Sequence, residues 1–505
     1  MSLSNLVSGP LPSGSPSGSG GAQSNAGSGG GGVGKIDLGL ARMSALLQAL
    51  SPTPIPAIHL AGTNGKGSVS ALLESVLLAS GLRVGRYNSP HLIEPRDAIR
   101  VDGVPPPREE YEWCKSRVIN VSKTKGIEAT TFEIATAAAY FLLGRSGVEV
   151  MIVECGMGGA RDATNVLDPS MVLASGLTAV GLDHTAFLGD TIEAIAEEKA
   201  KIAVTGGLLV VAPQPYPQAS SVAALVAQSR GATAIQAPRS TVIESSKGPA
   251  SIRPWSPPQP AVISTPLGPD HDIVTRLNLP GEHQVDNLSL ALAILQGVRT
   301  DSRARKILPR LAQISDEAIR QGVEWTRWAG RCSWEIYGGG GPVGERSGPS
   351  LPVLVDGAHN ADSATTLRAY LDSLGDVAGA VRWIISLSDS KGKSVESVLS
   401  PLLRRGDEVV AMEFGTPVEG MPWVQPVSAE EVARVARRLV GSASEAEAAE
   451  AAEAGDAGGL VSIIKRRGSE GVKEALDARR TEEKLVVLCG SLYLVADFYR
   501  LLSTR

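Results

Sequence analysis

From residue 35 onward, short apolar runs alternate with stretches of helical spacing. Leu38, Leu40, Met43, Leu46 and Leu47 recur at helical intervals across 37–50. The run 56–60 reads as a buried strand and 69–78 as a helix. Residues 148–153, 170–177 and 207–212 read as further strands, and 219–228 as a helix. This rhythm predicts a parallel sheet covered by helices. Residues 249–270 are rich in proline and read as an irregular excursion. Residues 281–296 begin another helix, and the polar helical stretch 300–325 approaches a boundary. A second α/β unit begins near Trp328, with strands at 351–355, 380–386, 408–412 and 485–489. The Gly-rich stretch 337–349 reads as a surface loop, and 441–459, of Ala, Glu and Gly, as a mobile insert. The pattern divides the chain into a tail over 1–34, one α/β domain over 35–325 and a second over 326–505, with a cleft between the two domains.

Composition narrows this picture. At 505 residues the chain is long enough for more than one domain, and 43% hydrophobic content allows a large core. Residues 1–34 are Gly, Ser and Pro with almost nothing to bury, and read as disordered. They carry neither the apolar run of a secretory signal nor the arginines of a mitochondrial presequence, so cytoplasm is expected by elimination, with room for a mitochondrial pool. No apolar stretch has the length of a membrane span. The net charge of −5, without a long basic block, argues against nucleic acid as a partner. Any anionic ligand must therefore be met by local groups. Four widely spaced cysteines, Cys114, Cys155, Cys332 and Cys489, suit a reducing compartment.

The candidate chemistry begins at Gly62-Thr63-Asn64-Gly65-Lys66-Gly67-Ser68, between the first strand and its helix. Strand, glycine-rich turn, lysine, serine and helix form the build of a phosphate-binding loop. The glycines let backbone N–H groups face a polyphosphate, and the helix N-terminus adds positive potential. Lys66 would touch the terminal phosphates and Ser68 would offer an oxygen to Mg²⁺. The spacing departs from the usual G-x-x-x-x-G-K-[ST], because Gly67 separates Lys66 from Ser68. Glu154, followed by Cys155-Gly156-Met157-Gly158-Gly159, ends the 148–153 strand, where a carboxylate suits Mg²⁺ beside the phosphates. His184, after Asp183, could hold a second metal ion or position a phosphate. Lys199 follows Glu197 and Glu198 in a helical run, which by composition alone is a solvated charged face. Asp356-Gly357-Ala358-His359-Asn360 follows a strand of the second unit; it could reach a nucleotide across the cleft, or be a plain turn. Arg331 is either a phosphate clamp or an ordinary surface arginine.

Together these residues resemble the folylpolyglutamate synthase/dihydrofolate synthase family of the Mur ligase superfamily. The likeness is carried, in family order, by Gly62 to Ser68, Ser89-Pro90-His91-Leu92, Glu154 to Gly159, Asp162-Ala163-Thr164-Asn165, Leu182-Asp183-His184 with Leu188-Gly189, Glu198-Lys199-Ala200, Gly281-Glu282-His283-Gln284 with Asn287, and Asp356 to Asn360. It runs from about residue 36 to the C-terminus. Within the family, Ile36 to Arg42, Val418 to Trp423 and Cys489 to Leu494 are most similar to fungal monofunctional dihydrofolate synthases. Four positions depart from the family pattern: Ala160, Lys201, Ala329 and Ala361. None of them removes a proposed ligand; Lys201 bears on the geometry around Lys199.

The resemblance implies an α/β, Mur ligase-like fold: a P-loop central ATPase domain on a mostly parallel sheet, plus a smaller Rossmann-like C-terminal α/β domain. It implies that Gly62, Thr63, Asn64, Gly65, Lys66, Gly67 and Ser68 cradle ATP, with Asn287, Arg331, Asp356 and His359 as further nucleotide contacts. One Mg²⁺ would lie near Ser68, Ser89 and Glu154, and a second near His184 and a carbamylated Lys199, which reverses the solvated-face reading. Lys66, Lys199 and His184 would be the catalytic set. The pterin substrate would be met by the loop from His91 and Leu92 to Arg100, and by Asp162. The implied reaction joins L-glutamate to dihydropteroate at the expense of ATP, through an acyl phosphate, in a monomer. Folylpolyglutamate synthesis on tetrahydrofolate is the rival reading. A non-catalytic nucleotide-binding regulator on the same scaffold would be expected to lack Glu154, His184 or Lys199.

Overall fold

A computed structural model describes residues 38–245, 257–338, 350–375, 381–389, 394–441, 460–478 and 484–503. The 1–34 tail, nearly all of the 441–459 insert and most of the 337–349 stretch lie outside the described residues. Ile36–Arg505 forms one compact unit.

Its first sheet holds seven strands: β1 (Ala57–Ala61), β2 (Val84–Tyr87), β3 (Ile99–Val101), β4 (Val150–Glu154), β5 (Val172–Leu177), β6 (Leu208–Val211) and β7 (Thr233–Gln236). Their order is β3-β2-β4-β1-β5-β6-β7, all parallel except the edge pair β2–β3. Every residue of β1, β4 and β5 is buried, as expected for a parallel sheet covered on both faces. Alternation assigns the faces. Ile58, Leu60, Val150 and Ile152 pack with Leu72, Leu73 and Val76 of the helix Lys66–Ala79. Ala57, Met151 and Val153 face the helices Ala41–Leu50, Arg108–Thr124 and Thr131–Arg145. The last of these starts with a reciprocal cap between Thr130 and Glu133.

The expected excursion at 249–270 differs from the structure over its described part. Ala261–Gly268 (β9) and His271–Leu277 (β10) form an antiparallel hairpin, joined by Thr241–Glu244 (β8). Ile263, Leu267, Ile273 and Leu277 alternate into the main core, and this apolar spacing outweighs the local prolines. Residues 300–325 form the helices Ser302–Ile307 and Asp316–Trp325, with the short 3₁₀ turn Pro309–Gln313 between them.

The second sheet holds β11 (Ser333–Tyr337), β12 (Leu351–Val355), β13 (Val381–Ile385), β14 (Glu408–Ala411), β15 (Val461–Ile463) and β16 (Leu485–Cys489), in the order β11-β12-β16-β13-β14-β15. Only β11 runs antiparallel to its neighbour. Contacts cross from one sheet system to the other: Arg500 Nη2 donates to the Ile93 carbonyl at 2.5 Å, and Arg108 stands 3.6 Å from Glu419.

Candidate active site

β1 and its neighbours β4 and β5 bring three segments to one carboxyl edge: Gly62 to Ser68, Glu154 to Gly159 and Thr178 to His184. Leu60 is level with Glu154, and Ala61 with Leu177. Such edges of open α/β sheets are where ligands bind. A Cβ on Gly62 would stand 1.8 Å from Thr178 Oγ1, and one on Gly65, whose φ is 95°, only 2.2 Å from Asn287 Oδ1. Glycine is therefore required at both positions, and Asn287 lies against the loop.

Lys66 Nζ donates to the carbonyls of Gly62 (2.9 Å) and Thr63 (3.2 Å), and stands 3.8 Å from Glu154 Oε1. Lys199, on the helix Ile192–Ala200, donates to the same Gly62 carbonyl at 2.9 Å. Only 3% exposed, it is no part of a solvated face. Burial, aided by the Lys66 charge, lowers its ammonium to about 7. Lys201 turns instead to Glu197, at 2.8 Å.

Glu154 is buried. Asn88 donates to its Oε2 at 2.5 Å and to Ser70 Oγ at 2.8 Å. Burial pushes the Glu154 carboxyl up; Lys66, then Asn88, oppose this. Ser89 Oγ is buried and has no hydrogen-bond partner among the described residues. Ser68 Oγ accepts from Gln284 Nε2 at 3.2 Å, and Gln284 Oε1 in turn accepts from Asn287 at 2.9 Å. An unpartnered hydroxyl, a second hydroxyl and a carboxylate are oxygen donors of the kind that Mg²⁺ takes. Among the described residues no three His, Cys, Asp or Glu side chains are grouped so that they could hold a metal ion. A cation here would thus draw its remaining ligands from phosphate and water, as Mg²⁺ usually does.

His184 caps the short helix Thr185–Leu188 at φ 53°, with Nε2 3.8 Å from Asp183 Oδ2. The Asp183 charge also acts on Lys199. Asp162 is buried and fully engaged: it accepts from the N–H of Met157 (2.8 Å), the N–H of Thr164 (2.9 Å) and Thr164 Oγ1 (2.6 Å). It thereby fastens the loop after β4. Gly159 of that loop lies on the Lys199 backbone, where a Cβ would come within 2.7 Å of the Glu198 and Lys199 carbonyls. Behind the loop, His59 Nε2 is 2.9 Å from Thr164 Oγ1 and 3.2 Å from Cys155 Sγ; burial lowers His59 to about 3, so it stays neutral.

On the second sheet Asp356 accepts from the N–H groups of Cys332 (2.7 Å) and Ala358 (2.8 Å). Arg331 Nη1 donates to the Gly330 carbonyl at 3.1 Å and lies where a Cβ on Gly357 would come within 2.6 Å of it, and its charge acts on both Asp356 and Glu154. His359 Nδ1 is 2.8 Å from the carbonyl of Gly357, in its own loop.

The segment expected to meet the pterin is split. Asp97 accepts from the N–H groups of Leu92, Ile93 and Glu94 at 2.9, 2.7 and 2.9 Å, shaping the turn. Leu92 packs on the second-sheet core, and His91 bonds to the Glu419 backbone. Burial lowers His91, against the Asp97 and Glu419 charges. Arg100 is not brought to this turn: it bonds to the Gly103 carbonyl and stands 3.8 Å from Glu74. Asn88 and Gln284 join the site beyond the residues that the sequence pattern points to. Both carry a signal: Asn88 directly precedes Ser89 at a strand end, and Gln284 belongs to the Gly281-Glu282-His283-Gln284 motif.

The family described as "Mur ligase middle domain" matches residues 60–295, and "Dihydrofolate synthetase, C-terminal domain" matches 343–501. A protein of Schizosaccharomyces pombe named probable dihydrofolate synthetase is 32% identical over 472 residues, covering 93% of this chain and 99% of its own. The solved structure of E. coli FolC in complex with DHPP and ADP aligns with TM-score 0.70 and 25% identity, over 93% of this chain and 94% of that one. A bifunctional folylpolyglutamate synthase/dihydrofolate synthase with Mn, AMPPNP and L-glutamate bound aligns with TM-score 0.66 and 25% identity, over 93% and 95%.

Proposed function

Since the chain belongs to the folylpolyglutamate synthase/dihydrofolate synthase family of Mur ligases, we propose that it ligates L-glutamate to 7,8-dihydropteroate with ATP, giving 7,8-dihydrofolate, ADP and phosphate. The observation that carries this reading is the convergence of Lys66, Lys199 and, through Lys66, Glu154 on the Gly62 turn. A nucleotide-binding regulator has no use for a lysine held near neutrality behind its phosphate loop.

A carboxylate does not accept an amine directly, because its oxide is a poor leaving group. The dihydropteroate carboxylate oxygen attacks the γ-phosphorus of ATP; the bond to the β–γ bridging oxygen breaks and ADP leaves. The glutamate amine then attacks the acyl carbon, loses a proton, and phosphate departs from the tetrahedral intermediate. Lys66 leaves the Gly62 and Thr63 carbonyls to meet the transferring phosphoryl group, and Arg331 offsets its charge from the opposite edge. Ser68, Ser89 and Glu154 would hold Mg²⁺, which supplies charge neutralisation at the phosphates. His184 and Lys199, the latter as its carbamate, would hold a second ion. Asp162 acts through the loop after β4, keeping Gly156 to Gly159 against Lys199. The turn at His91 and Leu92 touches both sheet systems, and closure over it would keep water from the acyl phosphate. The enzyme would work as a cytoplasmic monomer; no helix among the described residues is long and apolar enough to cross a membrane.

The test is the full chain with ATP, Mg²⁺ and labelled glutamate, offered dihydropteroate or tetrahydrofolate. Label entering dihydrofolate is expected. Label entering only the tetrahydrofolate product would make the enzyme a folylpolyglutamate synthase, and label entering neither would end the ligase reading.

A further inference from the structure

Gly67, the residue that breaks the usual phosphate-loop spacing, has a neighbour that the proposed chemistry does not use. A Cβ there would stand 2.8 Å from Trp328 Cζ2 and 3.0 Å from both Cε2 and Nε1. The extra glycine is thus a notch, and the indole fills it. The Arg86 guanidinium lies over the same ring, 4.5 Å from its centroid. Arg86 is itself buried on β2 and paired at 3.0 Å with Glu74, which belongs to the helix that the phosphate loop opens. Loop, helix, β2 and indole are therefore locked together. The Trp328 N–H has no hydrogen-bond partner among the described residues, so ring packing rather than a polar anchor seats it.

Trp328 also opens the segment that reaches the second sheet. Two residues on, Gly330 at φ 71° donates to Ser333 Oγ (3.0 Å) and Tyr499 Oη (3.3 Å). Arg331 follows, with its charge acting on Glu154 and Asp356. Only Ala329 and Gly330 separate Trp328 from Arg331, whose Nη1 donates to the Gly330 carbonyl at 3.1 Å, so the indole and the guanidinium share one short tether.

We propose that Trp328 is a positioning residue, seated in the Gly67 notch under Arg86, that fixes Arg331 relative to the phosphate loop. This rests on the ATP-driven reading above. Because Trp328 acts on placement and not on ground-state nucleotide contacts, its loss falls on kcat and not on ATP affinity.

The test is a cycle in the full chain: Gly67→Ala, Trp328→Leu and the double variant, with Trp328→Phe as the conservative control. Ligation kinetics and calorimetric ATP affinity are both read. Gly67→Ala should cost roughly 100-fold in kcat and Trp328→Leu about tenfold, the scale expected of ångström misplacement. ATP affinity of Trp328→Leu should stay within about threefold, as expected where a lost interaction is made only in the transition state. The double variant should be faster than Gly67→Ala alone, because a smaller side chain makes room for the new methyl group. Trp328→Phe, which keeps a ring under Arg86, should recover most of the rate. Additive losses in the double variant, or wild-type kcat in Trp328→Leu, would overturn the proposal. A wild-type enzyme that ligates no glutamate would instead strike at the function, and leave the two failures distinguishable.

Discussion

The two strand-end loops that flank the candidate site are built in opposite ways. After β1 and β4, charged side chains are buried and answer one another: Lys66, Lys199 and Glu154 meet around the Gly62 turn, and Asn88 holds Glu154 in place. After β12, Asp356 accepts from backbone N–H groups, of Ala358 in its own loop and of Cys332 before β11, and His359 turns to the Gly357 carbonyl. The first arrangement stores electrostatic tension that a polyphosphate and its cations relieve. Two lysine nitrogens on one carbonyl repel when both are charged, and burial together with the Lys66 charge lowers the Lys199 ammonium to about 7. The second arrangement rests on backbone donors, and the Arg331 charge acts on both Asp356 and Glu154. Preorganised charge therefore sits on one sheet, and the other sheet supplies position.

Substitutions should divide along that line. The largest effect is expected for Lys66→Ala, where removal of the phosphoryl contact should cost roughly 1000-fold in kcat with an unchanged melting temperature. Steady-state kinetics and thermal unfolding check it, and a folded variant turning over normally would break the contrast. Next comes Lys199→Ala, expected to lose about 100-fold, the scale of a removed metal-site group, and to regain part of its rate with short carboxylic acids. The same lysine sets a pH dependence. Burial lowers its ammonium to about 7, so below that pH the amine is protonated and cannot take up carbon dioxide. Reactivation by bicarbonate, after its removal, should therefore rise as pH climbs through about 7 and level off above. No response to bicarbonate at any pH would remove the carbamate.

How much of this was legible beforehand follows from the range of the interactions. The phosphate loop, the strand-end Glu154 and the Asp356 turn are local patterns, and each lies where the spacing places it. The solvated reading of Lys199 failed because its burial comes from Gly159, Gly62 and the core behind the helix, all far away in sequence. The hairpin at β9 and β10 was hidden by prolines, although Ile263, Leu267, Ile273 and Leu277 carried its alternation. The Gly67 notch was visible only as an irregular spacing, since the indole that explains it comes from Trp328.

The smallest effect is expected on the second sheet. His359→Ala removes a ring tied to the Gly357 carbonyl, and should cost less than about tenfold in kcat, as befits a residue that holds its own turn. A loss as large as that of Lys66→Ala would show that His359 meets the reacting groups directly, and would erase the division between the two loops.

The account stands on phosphorylation of the pterin carboxylate. Dihydropteroate carrying heavy oxygen in its carboxylate, incubated with enzyme, ATP and glutamate, should pass one labelled oxygen into inorganic phosphate for each dihydrofolate formed. Product formation with unlabelled phosphate, or with label in AMP, would contradict it.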